Sequence, residues 1–130
     1  IDEVQIKHGI HSIIVDIHGE TTSEKMALGH YLDGRVTAIF GTHTHVPTAD
    51  LQILKKGSFY QTDIGMCGDY DSVIGMNKEL SIQRFTKKFI KTRLEPASGQ
   101  GTLSGTIIKV SEENKVFEFE QILKGGMLEK

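Results

Sequence analysis

Two short apolar runs near the start of the chain predict two strands of one sheet. Residues 11–17 and residues 36–40 are rich in β-branched side chains and nearly continuous, as is typical of strands buried on both faces. Between them, Thr21 precedes Glu24 at the spacing of a helix capping box, and Gly34 supplies a left-handed end for the same helix. A strand, a helix and a strand in this order predict a parallel pair with a right-handed crossover.

The rest of the pattern predicts two hairpins separated by a loop and a helix. Residues 51–55 and 58–63 form the first hairpin, and residues 102–110 and 115–123 form a closing one, because each pair flanks turn-forming residues. Residues 64–91 begin as a glycine-containing loop and are expected to continue as an amphipathic helix from Lys78 to Lys91. These elements together place the chain in the α/β class.

The composition is that of an ordinary globular protein. Hydrophobic residues make up 38% of the chain, and the net charge of −2 argues against a protein that coats nucleic acid. A length of 130 residues suits a single domain or half-domain, residues 1–130. The apolar runs are far shorter than the roughly 20 residues that span a bilayer, and the single cysteine, Cys67, indicates a reducing compartment. We therefore predict a cytoplasmic protein with no membrane partner.

Three histidines directly follow the two predicted parallel strands. His18 comes just after the first strand, and His43 and His45 come just after the second. The carboxyl ends of parallel strands meet at one edge of a sheet, so we expect the three imidazoles to converge there. Imidazole is the commonest neutral metal ligand in proteins. The sequence therefore predicts a metal site at this edge.

Each candidate residue near this edge also has a simpler structural role. A histidine after a strand is often only a hydrogen-bonded structural residue. His8 and His11 precede the first strand and His30 lies within the predicted helix, so we interpret these three as structural or surface residues. Glu20 either orients a ligand histidine or is a solvated loop carboxylate. Thr21 opens a helix whose free N–H groups either help to hold a substrate phosphate or need only an ordinary cap.

Two aspartates and one loop have similar alternatives. Asp16 and Asp63 stand at strand ends, where each either supports a metal ligand or caps its strand. The loop from Gly65 to Gly75 borders the site, forms a subunit contact in a homo-oligomer, or only connects two elements. The residue pattern leaves these choices open.

The stretch Gly41-Thr42-His43-Thr44-His45-Val46 resembles the last motif of calcineurin-like metallophosphoesterases, a Gly-His-x-His signature that here carries one inserted threonine. This insertion and several further stretches are similar to the YmdB-like bacterial branch of that superfamily. The similarity extends from about residue 11 to residue 123. The further stretches are residues 16–25 and 26–35, Thr48-Ala49-Asp50, Thr62-Asp63-Ile64-Gly65-Met66 and Leu103-Ser104-Gly105.

The resemblance implies the C-terminal half of a layered α/β/β/α sandwich with a dinuclear metal centre that hydrolyses phosphodiesters, in this branch cyclic nucleotides. It implies that His18 and His43 bind one ion and His45 the other, the ions being divalent or trivalent Fe, Mn or Zn. A metal-bound hydroxide would attack the phosphorus in line. Thr42 and Thr44, beside these histidines, become candidates for contacts to the ligands or to substrate.

The chain lacks the other half of the family's site. The first Asp, the bridging carboxylate, an Asn ligand and the catalytic His of a Gly-Asn-His motif have no counterpart in its sequence. We therefore expect the catalytic His to lie in the N-terminal half of the same protein, which this chain needs as a partner. The rival interpretation is a regulatory module that binds a metal ion or a nucleotide without hydrolysis.

Overall fold

The computed structural model describes residue 1, residues 9–87 and residues 93–129. Within this part the chain forms two sheets, two α-helices and one short 3-10 helix, so the predicted α/β class is confirmed. His8 and the end of the predicted second helix, residues 88–91, lie outside the described residues. None of the helices in the described part is long and apolar enough to cross a membrane.

Five elements build the first sheet and its helix: β1 (Ile14–His18), α1 (Thr22–Leu32), β2 (Ala38–Thr42), β3 (Gln52–Ile53) and β4 (Phe59–Gln61). The strand order is β1, β2, β4, β3. β1 pairs with β2 in parallel, as predicted, and His18 lies opposite Thr42 at the end of the pair. β4 runs parallel to β2 and antiparallel to β3, which confirms the first hairpin.

Only the middle of this sheet is buried on both faces. Ile39 and Phe59 are fully buried on β2 and β4. The prediction that residues 11–17 form a strand buried on both faces is wrong, because β1 is an edge strand of the sheet and Ile14 is 60% exposed. The alternate side chains of this segment, such as Val15, pack against the core instead.

Helix α1 has the predicted end but not the predicted cap. Gly34 has a φ of 78°, the left-handed conformation expected just beyond the helix. Thr21 is the N-cap residue, but its side chain makes no capping hydrogen bond. The predicted capping box with Glu24 is therefore wrong. Both side chains are exposed to solvent, and the first turn is closed by the backbone bond from Lys25 N to Thr21 O, 3.2 Å long.

Four elements follow: β5 (Gly68–Asp69), α2 (Lys78–Thr86), β6 (Gly101–Val110) and β7 (Val116–Lys124), with a 3-10 helix at Gly126–Leu128. The three strands form the second sheet, and β6 and β7 pair as the predicted closing hairpin. α2 is shorter than predicted, because Lys87 is already extended. Its Phe85 is 90% exposed.

The two sheets pack through an aromatic cluster. Phe59 of β4 lies with its ring centroid 5.3 Å from that of Phe40 and 5.2 Å from that of Phe119 on β7. Beside this cluster the Thr106 hydroxyl donates to the buried Gln61 side chain, with a distance of 2.6 Å. The second sheet therefore braces the centre of the first, while the ends of β1 and β2 stay accessible.

Asp50 fastens the end of β4 to the preceding loop. Its carboxylate accepts hydrogen bonds from the amide and the hydroxyl of Thr62. Burial alone would raise the pKa of Asp50, but these bonds and one from Thr48 outweigh it and hold the pKa below its ordinary value of 3.8.

We expect Asp50→Asn to reduce the acid sensitivity of folding. A carboxyl whose pKa is lower in the folded than in the unfolded chain stabilises the fold above the unfolded pKa, and this contribution is lost as the pH falls through the folded pKa. The free energy of unfolding of the wild type should therefore drop below about pH 4, and that of the variant should drop less. Urea unfolding at about pH 7 and about pH 3 measures the free energy of unfolding of the wild type and the variant. Equal losses of this free energy in the two proteins would contradict the prediction.

Candidate metal centre

His18 and His43 meet at the carboxyl ends of β1 and β2. His18 is the last residue of β1, and His43 directly follows β2. Nε2 of His18 lies 3.0 Å from Nδ1 of His43, and the two rings are edge to face with centroids 4.7 Å apart. The register of the parallel pair, in which His18 lies opposite Thr42, produces this approach. The predicted convergence is therefore confirmed for these two histidines.

A chain of hydrogen bonds fixes the tautomer of His18. The Thr42 hydroxyl donates to Asp16 Oδ1 at 2.8 Å, so its oxygen accepts from Nδ1 of His18 at 3.0 Å. With the proton on Nδ1, neutral His18 carries its lone pair on Nε2, the atom that faces His43. Asp16 and Thr42 thus orient a candidate ligand, which is one of the roles considered for each, and they direct the Nε2 lone pair of His18 toward Nδ1 of His43, with which it shares a hydrogen bond.

The spacing of these two nitrogens suits one metal ion. Two ligand nitrogens that each lie about 2.0–2.1 Å from an ion are about 3.0 Å apart when they subtend about 90° at it. His18 Nε2 and His43 Nδ1 have this separation, at which they share a hydrogen bond. On the other side of His43, Glu20 Oε2 lies 3.3 Å from Nε2, and both side chains are exposed. Glu20 is therefore both close enough to orient His43 and exposed to solvent, so its two predicted roles stay open.

His45 is held separately from this pair. Its Nδ1 donates to the backbone oxygen of Ile74 at 2.8 Å, which leaves the lone pair of the neutral ring on Nε2. Histidines that bind metal ions usually have their other nitrogen held in this way. Among the described residues, no three His, Cys, Asp or Glu side chains are grouped so that they enclose one ion. The ligand assignment of the three histidines thus stays a prediction.

The backbone around the histidines is strained. His43, His45 and Ile74 have φ values of 111°, 66° and 50°. In the described part only one further non-glycine residue, Asn114, has a positive φ. Such conformations cost about 1–3 kcal/mol each and concentrate at functional sites. The positive φ values thus fall on two of the candidate ligands and on the residue whose carbonyl holds His45.

A buried ion pair lies beneath the histidine loop. Lys25 of α1 places Nζ 3.0 Å from Oδ2 of Asp63, and both side chains are at most 1% exposed. Oδ2 of Asp63 also accepts from the Thr44 amide at 2.9 Å, and Oδ1 accepts from the Gly65 amide at 2.9 Å. Lys25 further donates to the Thr42 backbone oxygen at 3.3 Å. The pair thereby fixes the backbone on either side of His43.

The pKa of Asp63 is lowered although its side chain is buried. Burial alone would raise the pKa of Asp63, but the amides of Thr44 and Gly65 and the ammonium of Lys25 outweigh it and hold the pKa below the ordinary 3.8. Asp63 is therefore an anchor for the loop backbone, which corresponds to the structural alternative considered for it. Lys25 was not predicted, because a lysine in a helical pattern normally faces solvent.

Gly41 allows β2 and β4 to approach closely just below the histidines. A Cβ atom added at Gly41 would lie 1.6 Å from the backbone oxygen of Thr62 and 2.8 Å from Cδ of Lys25. The Gly41 backbone oxygen accepts from the Ile64 amide at 2.9 Å. The glycine of the Gly-Thr-His-Thr-His stretch is thus required by packing.

The other candidates lie where a structural role predicts them. The Thr44 hydroxyl donates to the Val46 backbone oxygen at 3.4 Å within its own loop, and Thr21 is a helix N-cap. His11 and His30 are exposed, His30 in the last turn of α1. In the described part of the chain, the hydrogen bonds and ring contacts given for His18 and His43 involve neither of them.

Comparison with known proteins identifies the family. A 2',3'-cyclic-nucleotide 2'-phosphodiesterase of Bacillus subtilis (strain 168) is 50% identical over 112 residues, which are 85% of this chain and 42% of that protein. The crystal structure of a hypothetical protein from Thermus thermophilus is 41% identical with a TM-score of 0.83, over 90% of this chain and 46% of the other. A novel phosphatase from Mycoplasma pneumoniae is 48% identical with a TM-score of 0.80, over 85% and 40%.

The chain thus spans less than half the length of these relatives. Its likeness to the phosphatase structure confirms the predicted metallophosphoesterase-type α/β fold. Residues 1–122 match the family described as YmdB-like protein. The chain therefore belongs to the YmdB-like family, as its histidine-bearing stretches indicated.

Proposed function

We propose that this chain is part of a metal-dependent phosphodiesterase and supplies His18, His43 and His45 as ligands to two metal ions. The observation that carries the proposal is the 3.0 Å separation of His18 Nε2 and His43 Nδ1, with His45 fixed separately by Ile74. This arrangement suits two ligands on one ion and one on a second. The name of the Bacillus subtilis relative supports a cyclic nucleotide as the substrate.

The residues of this chain would position the ions and the phosphodiester. The Asp16–Thr42 pair keeps a lone pair of His18 directed inward, and the Ile74 carbonyl does the same for His45. Two bound ions at such a centre offset the charge of the phosphodiester and lower the pKa of water. In this proposal the proton donor for the leaving group belongs to the part of the longer relatives that this chain does not span.

We expect His45→Ala in the full-length protein to lower kcat/KM for bis-p-nitrophenyl phosphate in Mn²⁺ by about 100-fold or more. Loss of a metal ligand acts on the chemical step, and supporting residues alone are worth 10- to 100-fold. The fold should remain, because the His45 side chain lies in an accessible loop. Kinetics, elemental analysis for metal content and thermal unfolding together measure the effect.

His30→Ala is the matched control, since His30 is exposed on α1 away from the paired histidines. It should keep the wild-type rate and metal content. The ligand assignment is wrong if the His45 variant retains both, or if the folded His30 variant is equally inactive. A wild type that binds Mn²⁺ or nucleotide without turnover would instead favour the regulatory module.

A further inference from the structure

A cavity of about 330 Å³ lies directly beside His45. Besides His45 and Ser72, its wall is made by five apolar or aromatic side chains: Val46, Met66, Tyr70, Val73 and Ile74. No Lys, Arg, Asp or Glu among the described residues lines it. Its size is at the lower end of small-molecule sites, which are mostly apolar. The cavity thus suits a flat, uncharged group better than a phosphate.

The ring of Tyr70 is held in a fixed position in this wall. Its hydroxyl accepts from the Met66 amide at 2.9 Å and donates to the Met66 carbonyl at 2.9 Å. Because both functions of the hydroxyl are used by the backbone, Tyr70 offers a ligand its ring rather than its polar end. Aromatic rings and thioethers are the surfaces on which nucleobases stack.

Ile74 occupies a position that does not suit isoleucine. Val73 and Met76 exchange two backbone hydrogen bonds, of 3.0 and 2.9 Å, across the two-residue turn Ile74-Gly75. The φ values of 50° and 90° at the two central residues are those of a type I′ turn, which favours Asn or Gly at its first position. A β-branched residue there is strained.

The turn itself therefore does not explain why isoleucine stands at position 74. Asn at this position would adopt the same turn with less strain and would present the same carbonyl to His45. The isoleucine is nevertheless 55% exposed, so it does not fill the core. What distinguishes it from Asn is the apolar surface that it adds to the cavity wall.

We propose that this cavity binds the nucleobase of the substrate, with Ile74 as the wall that covers one side of the base. The proposal rests on the proposed function, because a phosphodiester bound at His45 brings its attached nucleoside within reach of the cavity. The competing occupant is the rest of the protein, since this chain spans 42% of the Bacillus subtilis relative.

The test uses the full-length protein and adenosine, a nucleoside without phosphate. We expect adenosine to shift the NMR signals of the cavity residues in metal-free wild type, and Ile74→Asn to weaken its binding about tenfold by removing apolar contact. The Tm of the variant should be unchanged or higher, because the turn loses strain. A purely structural role for Ile74 predicts no change in adenosine affinity.

Ile82→Asn is the control, because Ile82 is similarly exposed, at 54%, but does not line the cavity. It should bind adenosine like wild type. The ratio of kcat/KM for 2',3'-cyclic AMP to that for glycerol 1,2-cyclic phosphate should fall only in the Ile74 variant. Adenosine that leaves the cavity signals unshifted, or binds the Ile74 variant as well as wild type, overturns the proposal. A wild type that binds adenosine but, with Mn²⁺ present, does not hydrolyse 2',3'-cyclic AMP would refute the proposed function and leave the nucleobase site standing.

Discussion

Gly41→Ala is expected to destabilise the fold severely. The added methyl group would lie 1.6 Å from the backbone oxygen of Thr62, the residue directly after β4, and a buried backbone atom cannot move aside as a flexible side chain can. The clash would have to be relieved by separating β2 from β4, on which Ile39 and Phe59 are fully buried. We expect a loss above about 4 kcal/mol in the free energy of unfolding, which is exceptional for one substitution.

Urea unfolding of the full-length protein followed by circular dichroism measures this loss. Gly105→Ala is the matched control, because Gly105 also lies within a strand but has no atom within 4 Å of an added Cβ. The control should unfold within about 0.5 kcal/mol of the wild type. A Gly41 variant that unfolds at the wild-type urea concentration would show that β2 and β4 can separate at little cost.

Lys25→Met is expected to reduce the free energy of unfolding by about 3–5 kcal/mol, because it leaves Asp63 buried without its cation. Methionine has a similar length, so packing around the helix changes little. The two amides that bond to Asp63 remain, but they do not neutralise its charge. The loop carrying His43 should loosen as well, and the metal content of the folded variant should fall. Denaturant unfolding and elemental analysis measure the two effects.

Lys109→Met tests whether any lost lysine would have the same effect. Lys109 forms a 2.8 Å ion pair with Glu118, but both side chains are 56% exposed, so water and salt screen the interaction. Its removal should change stability little. Equal losses in the free energy of unfolding at Lys25 and Lys109 would mean that burial of the Lys25–Asp63 pair does not increase its contribution to stability.

Local patterns in the sequence predicted most elements of the fold. The parallel pair of β1 and β2 and both hairpins have clear signals in strand length and turn residues. The exposure of β1 could not be read from its apolar run, because burial depends on which strands lie on either side. The adjacency of β4 to β2 is likewise a long-range feature with no local signal.

The sequence placed His18 and His43 together correctly, since parallel strands deliver their ends to one edge. It did not indicate how those side chains are fixed. The helical pattern predicts that Lys25 faces solvent. It is buried because α1 packs over Asp63, which is a long-range contact. Ile74 was missed for a related reason: isoleucine is a poor turn residue, so the type I′ turn had no recognisable signature.

The position of β1 at the edge of the first sheet affects how the proposed metal centre could be completed. Its outer row of backbone N–H and C=O groups can accept another strand about 4.8 Å away. A strand added parallel to β1 would end level with His18, on the side away from His43. Any carboxylate carried just beyond such a strand would reach the histidine cluster without a long loop. The open edge of β1 is thus also the shortest route by which further metal ligands can enter the site.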